Sequence, residues 1–219
     1  MKLTFDCYDT LLDMTPIDAV LTEIARTGNV NADKALAIYA NYEDRLMYVN
    51  NIRPYEKLIA ANLDFVDMEL SCAPLFKTHY DDVLAAYHQL QPYPEVVPAL
   101  QALKQQGHQL YLMSNSAPDL MQDHLAVLGN TIEHAFTPDE VGCYKPQKGF
   151  FETVGAALHL TNENHLHIAH GYWWDIIPCD QVGWRNIWIN RNHLSALPQF
   201  QPTYELPDLT ELPRLVQQL

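Results

Sequence analysis

Positive charge is scarce in this chain. Thirteen Lys and Arg face twenty-seven Asp and Glu, a formal net charge of −14 over 219 residues. With no basic stripe to displace counterions, nucleic acid is excluded as a partner. The same field repels anionic membrane surfaces. Long apolar runs are missing too. Pro, Asn, Gln and His break every uncharged stretch short of the ~20 residues a membrane span needs. The apolar run after Met1-Lys2 meets Asp6 almost at once, so no secretory leader is expected. The four cysteines, Cys7, Cys72, Cys143 and Cys179, lie far apart without a CxxC pair. That predicts reduced thiols in a cytoplasmic protein, not a disulfide frame or zinc site. There is no internal repeat and no low-complexity segment. What the chain does have is apolar residues, 48% of the total and spread throughout, which excludes disorder and allows one domain with a smaller companion.

Hydrophobic spacing divides the chain. Lys2–Phe5 is a short buried-strand candidate that ends in the polar burst Asp6-Cys7-Tyr8-Asp9-Thr10. From Thr15 to Leu90 apolar residues recur at helical spacing, as in Ile17, Val20, Leu21 and Ile24, which predicts roughly four helices and no strands. After the stiff hinge Gln91-Pro92-Tyr93-Pro94, strands and helices alternate. Strands are expected at 109–113, 166–169 and 186–189; helices at 96–106, 117–128, 148–158 and 175–182. Residues 136–144 read as loop, and a proline-rich tail from Pro198 to Pro213 ends in a short helix. The alternation predicts an α/β fold, a doubly wound parallel sheet formed by residues 1–13 and 92–219, with residues 14–91 inserted as an all-α helical cap.

Ligands of such sheets bind beyond the carboxyl ends of the strands. The residues there are Asp6, Tyr8, Asp9 and Thr10; Ser114, Asn115 and Ser116; and His170 and Asp175, with Lys145 in an intervening loop. Carboxylates, hydroxyls, an amide and a lysine would meet at one edge, under a cap that excludes water. His165 and His167 share a strand face, but His170 lies past it, which argues against a histidine metal site. No GxSxG elbow surrounds Ser114. Cys7 reads as a small packing residue, and Trp184 and Trp188 as core.

Four motifs in order carry a resemblance: Phe5-Asp6-Cys7-Tyr8-Asp9-Thr10-Leu11, Leu112-Met113-Ser114-Asn115-Ser116, Tyr144-Lys145-Pro146, and a stretch from His167 through Asp175 to Arg191. Together with the helical insert they make the chain similar to the haloacid dehalogenase-type hydrolases, over nearly its whole length. The resemblance implies a Rossmann-like core and covalent catalysis by Asp6, whose carboxylate forms an ester or acyl phosphate that water then hydrolyses. It further implies that Ser114 and Thr10 position the substrate, that Lys145 balances charge near Asp6, and that Asp175 holds Lys145 or orients the water.

Two positions separate the branches of that family. A phosphatase expels an alkoxide and uses an Asp two residues after the nucleophile as general acid; here that residue is Tyr8, as in the dehalogenase branch, whose halide leaves unprotonated. A phosphatase also holds Mg²⁺ with an Asp early in the fourth motif; here that position is His170, a poor ligand for a hard cation. The reading is therefore a metal-independent hydrolase with a covalent Asp6 ester, needing no cofactor and acting on a small molecule. Substrate contacts are assigned to Tyr8, Asp9, Asn115, His170, Tyr172 and a cap arginine, Arg45 or Arg53. Phe151, His170 and Tyr172 depart from the residues of true 2-haloacid dehalogenases, and Asp9 stands where Gly is usual. Two alternatives follow: an Mg²⁺-dependent phosphatase of a small metabolite, or a catalytically idle binding protein. The net negative charge requires Lys145 and a cap arginine to reverse the field locally for an anionic substrate. Tyr42, Tyr48 and Tyr55, read as exposed, suit either a pocket roof or a dimer face.

Overall fold

A computed structural model describes residues 1–48 and 52–219. The chain divides into two compact units, one from Met1–Asp13 and Gln91–Leu219, the other from Met14–Leu90.

The inserted unit is all-helical among the described residues: α1 (Thr15–Thr27), α2 (Ala32–Met47), α3 (Tyr55–Leu70), a 3₁₀ turn (Lys77–His79) and α4 (Tyr80–His88). Apolar residues three and four apart give each helix a buried face: Ile17, Leu21 and Ile24 on α1, and Ile59, Leu63 and Val66 on α3. The Asn31 side chain accepts the Lys34 N–H at 2.8 Å and starts α2. The buried Asp67 carboxylate accepts the N–H groups of Phe76 and Lys77 and so starts the 3₁₀ turn. One sequence expectation is corrected here: Tyr55 is buried, not exposed. Its ring meets Tyr87 edge-on, and its hydroxyl donates to Glu43 at 2.6 Å. Tyr48 is exposed, and Tyr42, also read as exposed, is half-buried and stacks on Phe65.

The other unit is a six-stranded, wholly parallel sheet. Its strands are β1 (Lys2–Phe5), β2 (Gln109–Met113), β3 (His134–Phe136), β4 (His165–Ala169), β5 (Asn186–Ile189) and β6 (Tyr204–Leu206), in the order β3-β2-β1-β4-β5-β6. Helices α5 (Val96–Gln105), α6 (Pro118–Val127), α7 (Pro138–Val141), α8 (Lys148–Leu158), α9 (Ile177–Val182) and α10 (Leu212–Gln217) connect and follow the strands. Central strands covered on both faces need apolar residues at nearly every position; Leu110, Leu112, Leu166, Ile168, Ile187 and Ile189 are fully buried. Trp188 joins this core, while Trp184 is partly buried against it.

Three segments differ from the sequence reading. β3, at His134–Phe136, has no counterpart among the expected elements, and the stretch after it, which reads mostly as loop, contains the single turn α7; the tail contains β6; and the first turn expected of a helix at 175 is a π-turn, Tyr172–Ile176. β3 and β6 are three-residue edge strands, too short for a two-residue period to register.

The register sets the site. Phe5 pairs with Leu112 on one side and Ile168 on the other, so β1 ends between two neighbours. The ladders run one step further, Asp6 N–H to Ile168 O at 3.0 Å and Ser114 N–H to Phe136 O at 3.0 Å. The connections to the insert also leave from this unit together: Asp13 N–H donates to Gln91 O at 2.9 Å, and Leu12 bridges Pro92.

Candidate active site

Asp6 follows β1 directly, and Thr10 sits one tight turn later. Thr10 Oγ1 donates to Asp6 Oδ2 at 2.6 Å and accepts the His170 N–H at 2.7 Å. The other Asp6 oxygen, Oδ1, accepts from Lys145 Nζ at 2.8 Å, and the same ammonium donates to Asp175 Oδ1 at 2.7 Å. Lys145 and Asp175 are buried, and Asp6 keeps 12% of its side chain exposed. One cation thus lies between two carboxylates, one of which retains access to solvent.

Burial alone would push the Lys145 ammonium toward the neutral form, but the carboxylates of Asp175 and Asp6 hold its pKa above the ordinary lysine range. Burial likewise opposes the Asp175 carboxylate, and the Lys145 ammonium together with the His167 hydrogen bond holds its pKa below the ordinary value. His167 Nε2 reaches Asp175 Oδ1 at 3.0 Å. Asp175 Oδ2 has no hydrogen-bond partner among the described residues. It lies against Gly171, where an added Cβ would stand 2.5 Å from it, so the packing admits only glycine there.

The turn after Asp6 is braced by Tyr93 and Arg191. Asp9 has φ +57°, the left-handed region that suits glycine and that Asp tolerates better than most. Its carboxylate accepts the Tyr93 hydroxyl at 3.4 Å. Arg191 donates to the carbonyls of Asp9 (3.0 Å) and Thr10 (2.9 Å), pairs with Glu95 at 2.7 Å and lies over the Tyr93 ring at 3.7 Å.

The remaining expected site residues have varied settings. The Ser114 hydroxyl is buried and accepts the Ser116 N–H at 3.3 Å. Tyr8 OH pairs with Ser116 Oγ at 2.7 Å. Asn115 pairs with the Lys145 backbone in both directions, Nδ2–H to O at 2.9 Å and Oδ1 from N–H at 2.7 Å; this amide anchors the lysine loop. His170 donates Nδ1–H to Ile189 O at 2.8 Å, because a carbonyl can only accept. The Tyr172 hydroxyl is turned to the tail, donating to Phe200 O at 2.6 Å and accepting the Leu197 N–H at 2.8 Å. Arg45 and Arg53 belong to the helical unit, where Arg45 lies over the Tyr42 ring at 4.8 Å. Phe151 is buried core beside His167 and Trp184. Sequence reasoning gives no role to Thr4 or Tyr93, and His167 and Arg191 enter only as the two ends of a motif, His167 also as part of a metal site argued against.

The donor set does not suit a hard divalent cation. The ammonium of Lys145 bridges the two carboxylates, and His170 has committed Nδ1 to a carbonyl. Among the described residues no three His, Cys, Asp or Glu side chains converge to hold a metal ion. No described helix is long and apolar enough to cross a membrane.

Comparison with known proteins places the chain in a family. The family model for haloacid dehalogenase-like hydrolases matches residues 3–183. Haloacetate dehalogenase H-2 of Moraxella sp. (strain B) is 30% identical over 126 residues, covering 57% of this chain and 54% of that one. (S)-2-haloacid dehalogenase 1 of Pseudomonas sp. (strain CBS-3) is 26% identical over 98% of this chain and 96% of its own. The crystal structure of the L-2-haloacid dehalogenase RSc1362 superposes with a TM-score of 0.87 at 20% identity, covering 99% and 98% of the two chains. A buried lysine shared by two carboxylates, at the end of the central strand of a sheet with a helical insert, thus stands in a chain that belongs to the haloacid dehalogenase-like hydrolases.

Proposed function

We propose that this hydrolase cleaves the carbon–halogen bond of a short 2-haloacid through a covalent ester on Asp6, without a metal ion. A carboxylate oxygen of Asp6 attacks the α-carbon and the halide leaves with the bonding electrons. Water then adds to the Asp6 carbonyl carbon, releasing the 2-hydroxy acid and a proton and restoring the carboxylate. The observation that carries this reading is the Lys145 bridge. It sets a cation directly beside Asp6, which offsets part of the carboxylate charge that an anionic substrate must approach in a chain of net charge −14. Tyr8 supports it, since a halide needs no general acid and the Tyr8 phenol is engaged with Ser116.

The test is halide release from a panel of haloacetates and 2-halopropionates, with and without chelator, and a single turnover in ¹⁸O-water followed by mass spectrometry of the Asp6 peptide. Chelator-independent release, label in Asp6 and loss of turnover in Asp6→Asn are expected. Silence across the panel, or turnover of an aryl phosphate that chelator abolishes, overturns the reading.

A further inference from the structure

Behind the Lys145 bridge runs a buried hydrogen-bond chain that the reaction above does not use. His165 Nε2 lies 2.7 Å from Thr4 Oγ1, Thr4 Oγ1 lies 2.8 Å from His167 Nδ1, and His167 Nε2 lies 3.0 Å from Asp175 Oδ1. The three residues share one face of the sheet, because Thr4 pairs with His167 across β1 and β4 and His165 is two residues back. All are essentially inaccessible to solvent.

Donor and acceptor logic gives the chain a direction. An ionised carboxylate only accepts, so His167 Nε2 carries a proton. If His167 is neutral, Nδ1 is bare and Thr4 donates to it. Thr4 then accepts from His165 Nε2–H, and the chain ends at His165 Nδ1 as a bare nitrogen. That nitrogen has no partner among the described residues. If His167 were an imidazolium, the bond to Asp175 would stand but both bonds of Thr4 would reverse, and His165 would carry its proton on the partnerless Nδ1, a buried N–H with nothing to receive it. Burial pushes the His165 pKa below the ordinary imidazole range, which fits a neutral terminus. The other groups around His167 are the apolar rings of Phe151 and Trp184. The charges of Asp175, Lys145 and Asp6 lie on its Nε2 side, where the Cys179 thiol, pushed up by burial, is uncharged.

We propose that His167 is a positioning residue: held as the neutral Nε2–H tautomer by the one-way chain from His165 through Thr4, it pins the Asp175 oxygen that receives Lys145 and thereby holds the ammonium against Asp6. The catalytic consequence rests on the function proposed above; the tautomer and the pinning do not. A neutral donor fixes Asp175 without adding a second positive charge, so Lys145 remains shared between two carboxylates and Asp6 keeps its exposed side for the substrate.

The test uses the full chain. Long-range ¹H–¹⁵N spectra of ¹⁵N-histidine protein, with His167→Gln to assign the signal, should give His167 and His165 as Nε2–H tautomers at neutral pH. The ¹³C-labelled Asp175 carboxyl should titrate at higher pH in His167→Phe than in the parent, with His167→Gln between them because its amide still donates. On a haloacid substrate, His167→Phe should lower kcat by about 10- to 100-fold with little change in KM, and His167→Gln should recover most of it. Protons on both His167 nitrogens, or an Asp175 titration unmoved by His167→Phe, overturns the proposal. Both NMR arms need no substrate, so they decide the pinning even if no halide is released. Conversely, halide release with His167 found as an imidazolium leaves the function standing and removes this inference.

Discussion

His165 makes the acid stability of the sheet predictable. Its ring is buried in β4 against Trp184, with centroids 4.6 Å apart, and Nδ1 has no partner among the described residues to share a second proton. Burial is the main cause of a pKa lowered from 6.5 to about 3. Because the folded value is depressed, the unfolded chain binds more protons anywhere between those limits. The stabilisation is therefore complete above about pH 6.5 and is lost as pH falls toward 3. Within that window the loss approaches ~1.4 kcal/mol per pH unit, or about 2–3 kcal/mol between about pH 7.5 and 4.5. The perturbation is His165→Phe, which keeps a ring against Trp184 and removes the titration. Removing the Thr4 donor costs about the same at both pH values and cancels in the comparison. Chemical denaturation of both proteins at the two pH values should show the parent losing about 2–3 kcal/mol more than the variant. Parallel losses would refute the reasoning, since they would mean that protonating His165 in the fold meets no resistance.

Two further predictions concern the turn after Asp6. Asp9→Gly should leave stability within about 1 kcal/mol of the parent, since glycine accepts a left-handed backbone and the Tyr93 contact it gives up is long; Asp9→Val should destabilise more, because a β-branched side chain is a poor fit at φ +57°. Denaturant midpoints of the three proteins check the order. Arg191→Ala should cost about 2–3 kcal/mol and lower kcat more than it raises KM, since it frees the Asp9 and Thr10 carbonyls and strands Glu95. Arg191→Lys should recover little, because an ammonium cannot reproduce the planar fork; steady-state kinetics and denaturation report both.

The parts of this fold that sequence reveals are those whose cause is local. β1, β2 and β5 have the bounds expected from the sequence, and α8 runs from Lys148 to Leu158 as its periodicity predicts. β3 and β6 escape because each is three residues long and owes its existence to one neighbouring strand. The contacts of the site are equally non-local: Lys145 meets Asp6 across 139 positions, and Arg191 meets Asp9 across 182. Spaced motifs could nominate Asp6, Lys145 and Asp175 for one edge. Nothing in spacing could indicate that Asn115 would grip the Lys145 backbone, that Tyr172 would turn to the tail, or that His167 would stand behind Asp175.

The hydrogen bond from Asp13 to Gln91, with the bridge beside it, makes the exit and return of the insert a single closed doorway. The insert of residues 14–90 begins and ends at neighbouring points of the other unit, joined there by a main-chain hydrogen bond that does not depend on side-chain identity. A change of length within the insert therefore does not, by itself, alter the main-chain closure that frames the strand leading to Asp6.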